Sequence, residues 1–258
     1  MLVAAALGTT RAYVIAHPER ALDAGHESMV QGWIKRRENG EPMAYLLGTR
    51  EFYGRNFRVS PATLIPRPET ELLVEQALVR LSEHKSPGSR TGARVLDMGT
   101  GSGAVAISLA LENDGASLTA TDIASSALDI ARVNAQELGA SVEFIACSWY
   151  TGLAGRRFNL IVSNPPYVGG SDVHLAQGDL RFEPRTALTD GSADGLASIR
   201  TIAAGAAAHL APGGWLLFEH GYDQACAVRE LLLKSGFDNL ICIRDLAGID
   251  RVSGGQHR

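Results

Sequence analysis

Apolar positions along this chain follow two periods. From Leu2 to about Asn39 they recur every three or four residues, at Leu2, Ala5 and Ala6, at Tyr13, Val14 and Ile15, and at Met29, Val30, Trp33 and Ile34. That spacing predicts helix, closed at Asn39-Gly40. Two short alternating runs, 51–53 and 56–59, are divided by Gly54-Arg55 and predict a β-hairpin. A proline-stiffened lead-in, Leu64-Ile65-Pro66-Arg67-Pro68-Glu69-Thr70, then opens an amphipathic helix from about Thr70 to Ser82, and Ser86-Pro87-Gly88-Ser89 is a polar break. From Ala93 the pattern alternates. Strand-like runs at 94–98, 117–121, 142–146, 158–162, 215–219 and 240–243 are separated, for the most part, by helical patterns at 104–111, 125–138, 195–209 and 225–235. Such alternation builds a parallel sheet covered by helices on both faces, an α/β fold. The expected organisation is a helical front region over 1–48, a hairpin linker over 49–60 and an α/β domain over 61–258.

Composition narrows the class. The 258 residues are 45% hydrophobic, enough for a well-buried core, and no run reaches the roughly 18 apolar residues of a membrane span. A cytoplasmic location is the default expectation, since the opening residues lack the basic start of a signal peptide. Cys147, Cys226 and Cys242 are odd in number and widely spaced, which predicts buried free thiols, and the seven scattered histidines offer no paired spacing for a metal. The formal charge of −4 argues against general nucleic-acid affinity. Residues 1–85 carry 11 basic and 10 acidic side chains, so the front end is relatively the less acidic and the better docking surface for an acidic or RNA-bearing partner. Lys35-Arg36-Arg37 reads either as a solvated helix end or as part of such a patch.

The strand at 94–98 runs into Gly99-Thr100-Gly101-Ser102-Gly103 and then a helical pattern. Glycines there let the backbone approach a ligand, and ligands of doubly wound sheets sit beyond the carboxyl ends of the strands. The spacing is not the Gly-x-Gly-x-x-Gly of dinucleotide sites and no Gly-Lys-Ser/Thr follows, so the turn fits a ligand without phosphates. Asp122 ends the next strand about twenty residues on, where it either accepts both hydroxyls of a ribose or caps the helix starting near Ser125. Trp149, past the third strand, either stacks on an adenine or fills the core. The fourth run leads into Asn164-Pro165-Pro166-Tyr167. Both prolines fix their own φ, and Pro166 biases Pro165 toward extended backbone, so the carbonyls there point in set directions. A side-chain oxygen on Asn164, a backbone carbonyl beside it and the face of Tyr167 suit a planar NH2, whose two hydrogens need two acceptors.

Taken together, Gly99 to Gly103, Asp122 and Asn164 to Tyr167 resemble a class I S-adenosylmethionine-dependent methyltransferase acting on a planar nitrogen. Asn-Pro-Pro-Tyr is shared by enzymes of DNA adenine, RNA guanine and protein glutamine nitrogens, which leaves the substrate open. Glu41 to Gly48, Glu51-Phe52-Tyr53-Gly54, Ser60 to Glu71, Gly178-Asp179-Leu180-Arg181-Phe182-Glu183-Pro184 and Glu219-His220-Gly221 are similar to the PrmC/HemK family of peptide-chain-release-factor glutamine N5-methyltransferases, over roughly 2–252. The resemblance implies a Rossmann-like, mostly parallel seven-stranded sheet behind a small helical front domain and a hairpin. It implies S-adenosylmethionine contacts at Gly99, Thr100, Gly101, Ser102, Gly103, Asp122, Trp149 and Asn164. It further implies a glutamine pocket of Asn164, Pro165, Pro166 and Tyr167, with Asn164, Pro165 and Tyr167 carrying the chemistry. The substrate would be the glutamine of a Gly-Gly-Gln loop on bacterial class I release factors, gripped by the front domain; no membrane or stable nucleic-acid partner is expected. Arg67 and Glu69 either line the pocket or form interdomain ion pairs.

Methylation of a nucleic-acid amino group is the rival enzyme reading, and a non-catalytic docking module the rival binding one. The chain's acidity and front motifs count against the first, the intact glycine turn and Asn164 against the second. Three features depart from the family pattern. Members begin with another helix before Leu2, so the front domain is expected to be truncated; Ser148 stands where an acidic residue is common; and the tail Ser253 to Arg258 carries a Gly-Gly-Gln of its own, read first as coincidence and otherwise as a self-blocking or self-methylated tail.

Overall fold

The computed structural model describes residues 1–83 and 92–258, so the polar break expected at Ser86 to Ser89 lies outside the described residues. The front helical pattern is divided where the sequence supplies stops. Helix α1 (Leu2–Ala6) ends before Gly8, and Thr10 caps α2 (Arg11–Ala16) by accepting from the Tyr13 N–H at 3.1 Å. His17 precedes a proline, which disfavours helical backbone, and α2 stops there. Asp23 then caps α3 (Ala24–Glu38), whose last turn holds Lys35, Arg36 and Arg37, and α4 (Met43–Leu47) follows. The basic triplet is partly spoken for: Arg36 pairs with Glu41 at 2.5 Å and Arg37 with Asp179 at 3.0 Å.

The hairpin is β1 (Thr49–Phe52) and β2 (Arg55–Arg58). Its turn is Tyr53-Gly54, one residue earlier than the sequence predicts, because a two-residue hairpin loop needs positive φ at both centres, here 51° and 72°. Phe52 and Phe57 point from it into the core, edge to face at 6.0 Å. A 3-10 turn over Pro68–Thr70 leads into α5 (Glu71–Glu83).

The remaining strands and α-helices are β3 (Arg94–Met98), α6 (Ala104–Glu112), β4 (Ser117–Asp122), α7 (Ser125–Leu138), β5 (Val142–Ala146), β6 (Phe158–Ser163), α8 (Arg185–Leu188), α9 (Ala197–His209), β7 (Leu210–Glu219), α10 (Ala225–Lys234), β8 (Phe237–Arg244) and β9 (Asp250–His257). Seven strands form one sheet in the order β5-β4-β3-β6-β7-β9-β8, parallel except for β9, which runs antiparallel between β7 and β8. Val95, Leu160, Val162 and Leu217 face one layer with α5, α6 and the hairpin; Leu96, Met98, Ile161, Leu216 and Phe218 face the other with α9 and α10. Burial on both faces is why these strands read as continuous apolar runs.

The tail is the largest departure from the sequence reading. Ser253 to Gln256 lies within β9, where Gly254 pairs with Leu217 and Gln256 with Trp215. A Cβ on Gly254 would stand 2.5 Å from the Leu216 carbonyl oxygen, so the glycine there serves close strand packing. The Gln256 carboxamide donates to the Gly213 carbonyl at 2.9 Å and accepts from Asn239 at 2.8 Å, at the end of β7 opposite Glu219. Self-methylation of this tail has no structural basis. The buried-thiol expectation also fails for two cysteines, since Cys226 and Cys242 are exposed while Cys147 is half-buried. Among the described residues no helix is long and apolar enough to cross a membrane.

Candidate active site

From β3 the chain builds outward through β4 to β5, then returns to lay β6 along the opposite side of β3. Ligands bind where strand order reverses in this way. Met98 and Ser163 are partners in the β3/β6 ladder, and the Ser163 hydroxyl donates to the Met98 carbonyl at 2.7 Å. Neighbouring strands are about 4.8 Å apart. Gly99 and Asn164, the next residue on each strand, therefore leave the sheet side by side.

A cavity of about 390 Å³ opens there, floored by Gly99, Gly101 and Asp122, with Trp149 on one side and Asn164 and Pro166 on the other. The glycine turn is held from beneath. Thr100 is buried and donates to Asp97 Oδ2 at 2.6 Å, Ser102 is buried with its carbonyl accepting from Asn134, and Gly103 starts α6 at φ 83°. A Cβ on Gly103 would meet Ile107 Cδ1 at 2.7 Å. So Gly99 and Gly101 present backbone to the cavity, whereas Thr100, Ser102 and Gly103 fix the shape of the turn. Asn134, buried on α7, bridges that turn to the hairpin, donating to the Arg58 carbonyl as well and accepting the Arg58 N–H at 2.7 Å.

Asp122 does not cap α7 from the N-cap position, which Ala124 occupies without a side-chain bond. Its carboxylate accepts from the Gly101 N–H and the Ala124 N–H, each at 2.9 Å, and lies in the cavity floor. Trp149, at φ 47°, lines the cavity and packs on the core at once. Arg67 is not among the lining residues. It forms an ion pair with Glu183, whose carboxylate is fully buried and also accepts from the Ile65 N–H at 2.9 Å. Glu69 is exposed.

At the corner itself the Asn164 Nδ2 donates to Thr70 Oγ1 at 3.1 Å, and Thr70 donates to Glu219 Oε2 at 2.6 Å. The Tyr167 hydroxyl donates to the other Glu219 oxygen at 3.0 Å. Burial, and then the Glu219 charge, hold that phenol well above its usual range, so it stays neutral. Gln224 donates to the Tyr167 carbonyl at 2.9 Å, and a Cβ on Gly195 would come within 2.1 Å of that oxygen. Pro165 is buried, and neither it nor Tyr167 is among the residues that line the cavity. Thr70, Glu219, Gln224 and Asn134 escape a reading of the sequence for chemistry. The one available signal was Glu219, a charge closing the apolar run Trp215 to Phe218.

Among the described residues no Lys or Arg lines the cavity, which suits a ligand without phosphates, and the floor carboxylate suits a vicinal diol. The donor set therefore fits S-adenosylmethionine, whose sulfonium and ribose need no cationic cradle. Class I S-adenosylmethionine-dependent methyltransferases share this sheet, and the protein is one of them. The described fold matches the 16S rRNA N2 G1207 methyltransferase of T. Thermophilus, solved with AdoMet and guanosine (TM-score 0.59, 21% identity, 81% of this chain and 50% of that one), and a methyltransferase from Pyrococcus furiosus (TM-score 0.56, 20% identity, 88% and 96%). The chain belongs to the release factor glutamine methyltransferase family. Residues 1–48 match the PrmC N-terminal domain and 70–182 the methyltransferase small domain. Release factor glutamine methyltransferases of Bordetella pertussis and Neisseria gonorrhoeae are 52% and 56% identical to it over 256 and 225 residues, covering 99% and 86% of this chain and 92% and 79% of theirs.

Proposed function

We propose that the protein transfers the methyl group of S-adenosylmethionine to the side-chain amide nitrogen of the glutamine in the Gly-Gly-Gln loop of bacterial class I release factors, acting in the cytoplasm to tune translation termination. The observation that carries this reading is the Met98–Ser163 pairing, which sets the Asn164 carboxamide beside the glycine turn. Gly99, Gly101, Asp122 and Trp149 would hold the cofactor, which when bound supplies a methyl on a positively charged sulfur; the substrate nitrogen gives up one proton to solvent as it takes that methyl. An amide nitrogen is a poor nucleophile because its lone pair is delocalised into its carbonyl. Asn164 Oδ1 and the Pro165 carbonyl each accept one N–H, favouring pyramidal nitrogen and fixing the direction of its lone pair. Neither oxygen accepts a hydrogen bond among the described residues. Tyr167, whose hydroxyl is tied to Glu219, stiffens the corner that carries Asn164. Holding the reactants in this geometry can lower the barrier by about 7–11 kcal/mol in the best cases. The absence of Lys and Arg from the lining among the described residues supports a carboxamide over a phosphate-bearing base.

The test is incubation with methyl-labelled cofactor and a release factor carrying either its native glutamine or Gln→Ala in the Gly-Gly-Gln loop. Label on the native factor alone is the expected result. Equal label on both, or transfer to RNA in place of the factor, would remove this reading.

A further inference from the structure

Glu219 has no part in the transfer derived above, yet its surroundings are unusual. It closes β7 with 1% of its surface exposed, and among the described residues it forms no ion pair. Its two oxygens are instead occupied by hydroxyls, Thr70 at 2.6 Å and Tyr167 at 3.0 Å. A carboxylate buried without a cation is costly, and persists where hydrogen bonds satisfy it.

The polarity of that cluster has a consequence for Asn164. An ionised carboxylate only accepts, so Thr70 spends its single hydroxyl proton on Glu219. Thr70 Oγ1 can then only accept from Asn164, which turns Nδ2 toward Thr70 at 3.1 Å. Oδ1, on the other branch of the planar amide, is left to face the substrate. With the order reversed, Thr70 would donate to Asn164 Oδ1 and swing the NH2 toward the substrate NH2, donor against donor.

We propose that Glu219 and Thr70 are positioning residues that fix which end of the Asn164 carboxamide meets the glutamine, while the second Glu219 oxygen holds Tyr167 in the same frame. The proposal rests on the reading that Asn164 accepts an N–H of that glutamine. A purely structural link between the start of α5 and the sheet predicts something different: loss of folding or cofactor affinity in step with loss of turnover.

The experiment compares wild type with Thr70→Val, Thr70→Ser, Glu219→Gln and Asn164→Ala. Methyl transfer to a release factor is measured over pH 5–9, cofactor affinity by calorimetry, and folding by thermal unfolding. Thr70→Val is expected to lower kcat by about 10- to 100-fold, the range for loss of a residue that supports a primary contact from behind, with KM for the factor and cofactor Kd within about 3-fold. Thr70→Ser, which keeps the hydroxyl, restores most of kcat. Wild-type kcat falls on the acid side as Glu219 takes a proton, and Glu219→Gln flattens that limb. Burial is the largest influence on Glu219 and raises its carboxyl above the ordinary value; the Thr70 and Tyr167 hydroxyls and Arg251 oppose that rise, and Glu69 adds to it. Thr70→Val with unchanged kcat, Thr70→Ser as impaired as Thr70→Val, or cofactor affinity falling in parallel with kcat would each overturn the proposal. Should Thr70→Val not fold, the comparison of Glu219→Gln with wild type across pH decides, and an acid limb retained in that variant is the contrary result. An active Asn164→Ala removes the glutamine-acceptor reading itself, whereas an inactive one beside an unimpaired Thr70→Val removes only the positioning pair.

Discussion

Asp97 lies beneath the glycine turn with 1% of its surface exposed, accepting from Thr100 Oγ1 at 2.6 Å and from the Ala106 N–H at 3.2 Å. Burial, with the nearby Asp122 charge adding to it, pushes this carboxyl from 3.8 up to about 7. Its folded pKa is thus above its unfolded one, and the fold favours the protonated form. The associated stability is fully present below the unfolded value and is lost as pH rises through the window from 3.8 to about 7. Urea unfolding at pH 5 and pH 8 checks this: wild type gains stability relative to Asp97→Asn at pH 5, and no relative gain would contradict the assignment. Side chains of this kind were unevenly legible in the sequence. Asp122 and Asn164 close strands beside local glycine or proline motifs, so local spacing betrays them. Thr70 and Glu219 meet across 149 residues, and no local pattern records such a contact.

Elements with a full apolar face were legible almost to the residue, as α6, α7 and α10 illustrate, because burial of that face fixes both their period and their ends. The front helices were not, since Thr10 and Asp23 act as caps inside a pattern whose apolar spacing continues past them. Strand β9 was hidden by Ser253-Gly254-Gly255-Gln256, which lacks the β-branched and aromatic residues that mark strands and is held by its neighbours β7 and β8. The hairpin is predicted to contribute through its core residues more than through its ladder. Phe57→Ala, at a site with no exposed surface, should cost about 3–5 kcal/mol in chemical denaturation. A loss below about 1 kcal/mol would mean that the hairpin is dispensable to the core.

At the scale of the molecule, the segment from Asp179 to Ala187 joins the front helices to the cavity wall. Asp179 meets Arg37, Arg181 donates to the Asn39 carbonyl, and Phe182 packs on Ala44, Tyr45, Val59 and Ile65. Glu183 holds Arg67 and the Ile65 N–H, and Pro184, Thr186 and Ala187 line the cavity. From the other side, the Tyr45 hydroxyl donates to the Thr63 carbonyl at 2.6 Å, and Thr63 also lines the cavity. If the front region grips the release factor, this strap transmits its placement to the site. Arg37→Ala combined with Arg181→Ala should then raise KM for the factor several-fold while leaving cofactor affinity unchanged. Both side chains are exposed at their contacts, so stability should change by no more than about 1 kcal/mol. An unchanged KM would separate the strap from substrate docking.

The central claim is that the Asn164 carboxamide and a glycine turn on the adjacent strand bring one amide nitrogen to one methyl group. Single-turnover methyl transfer by Asn164→Ala, with cofactor and release factor both saturating, tests it most directly. The expected rate is at least about 100-fold below wild type, with cofactor affinity and unfolding temperature near wild type. Near-normal transfer by a folded, cofactor-binding Asn164→Ala would contradict it.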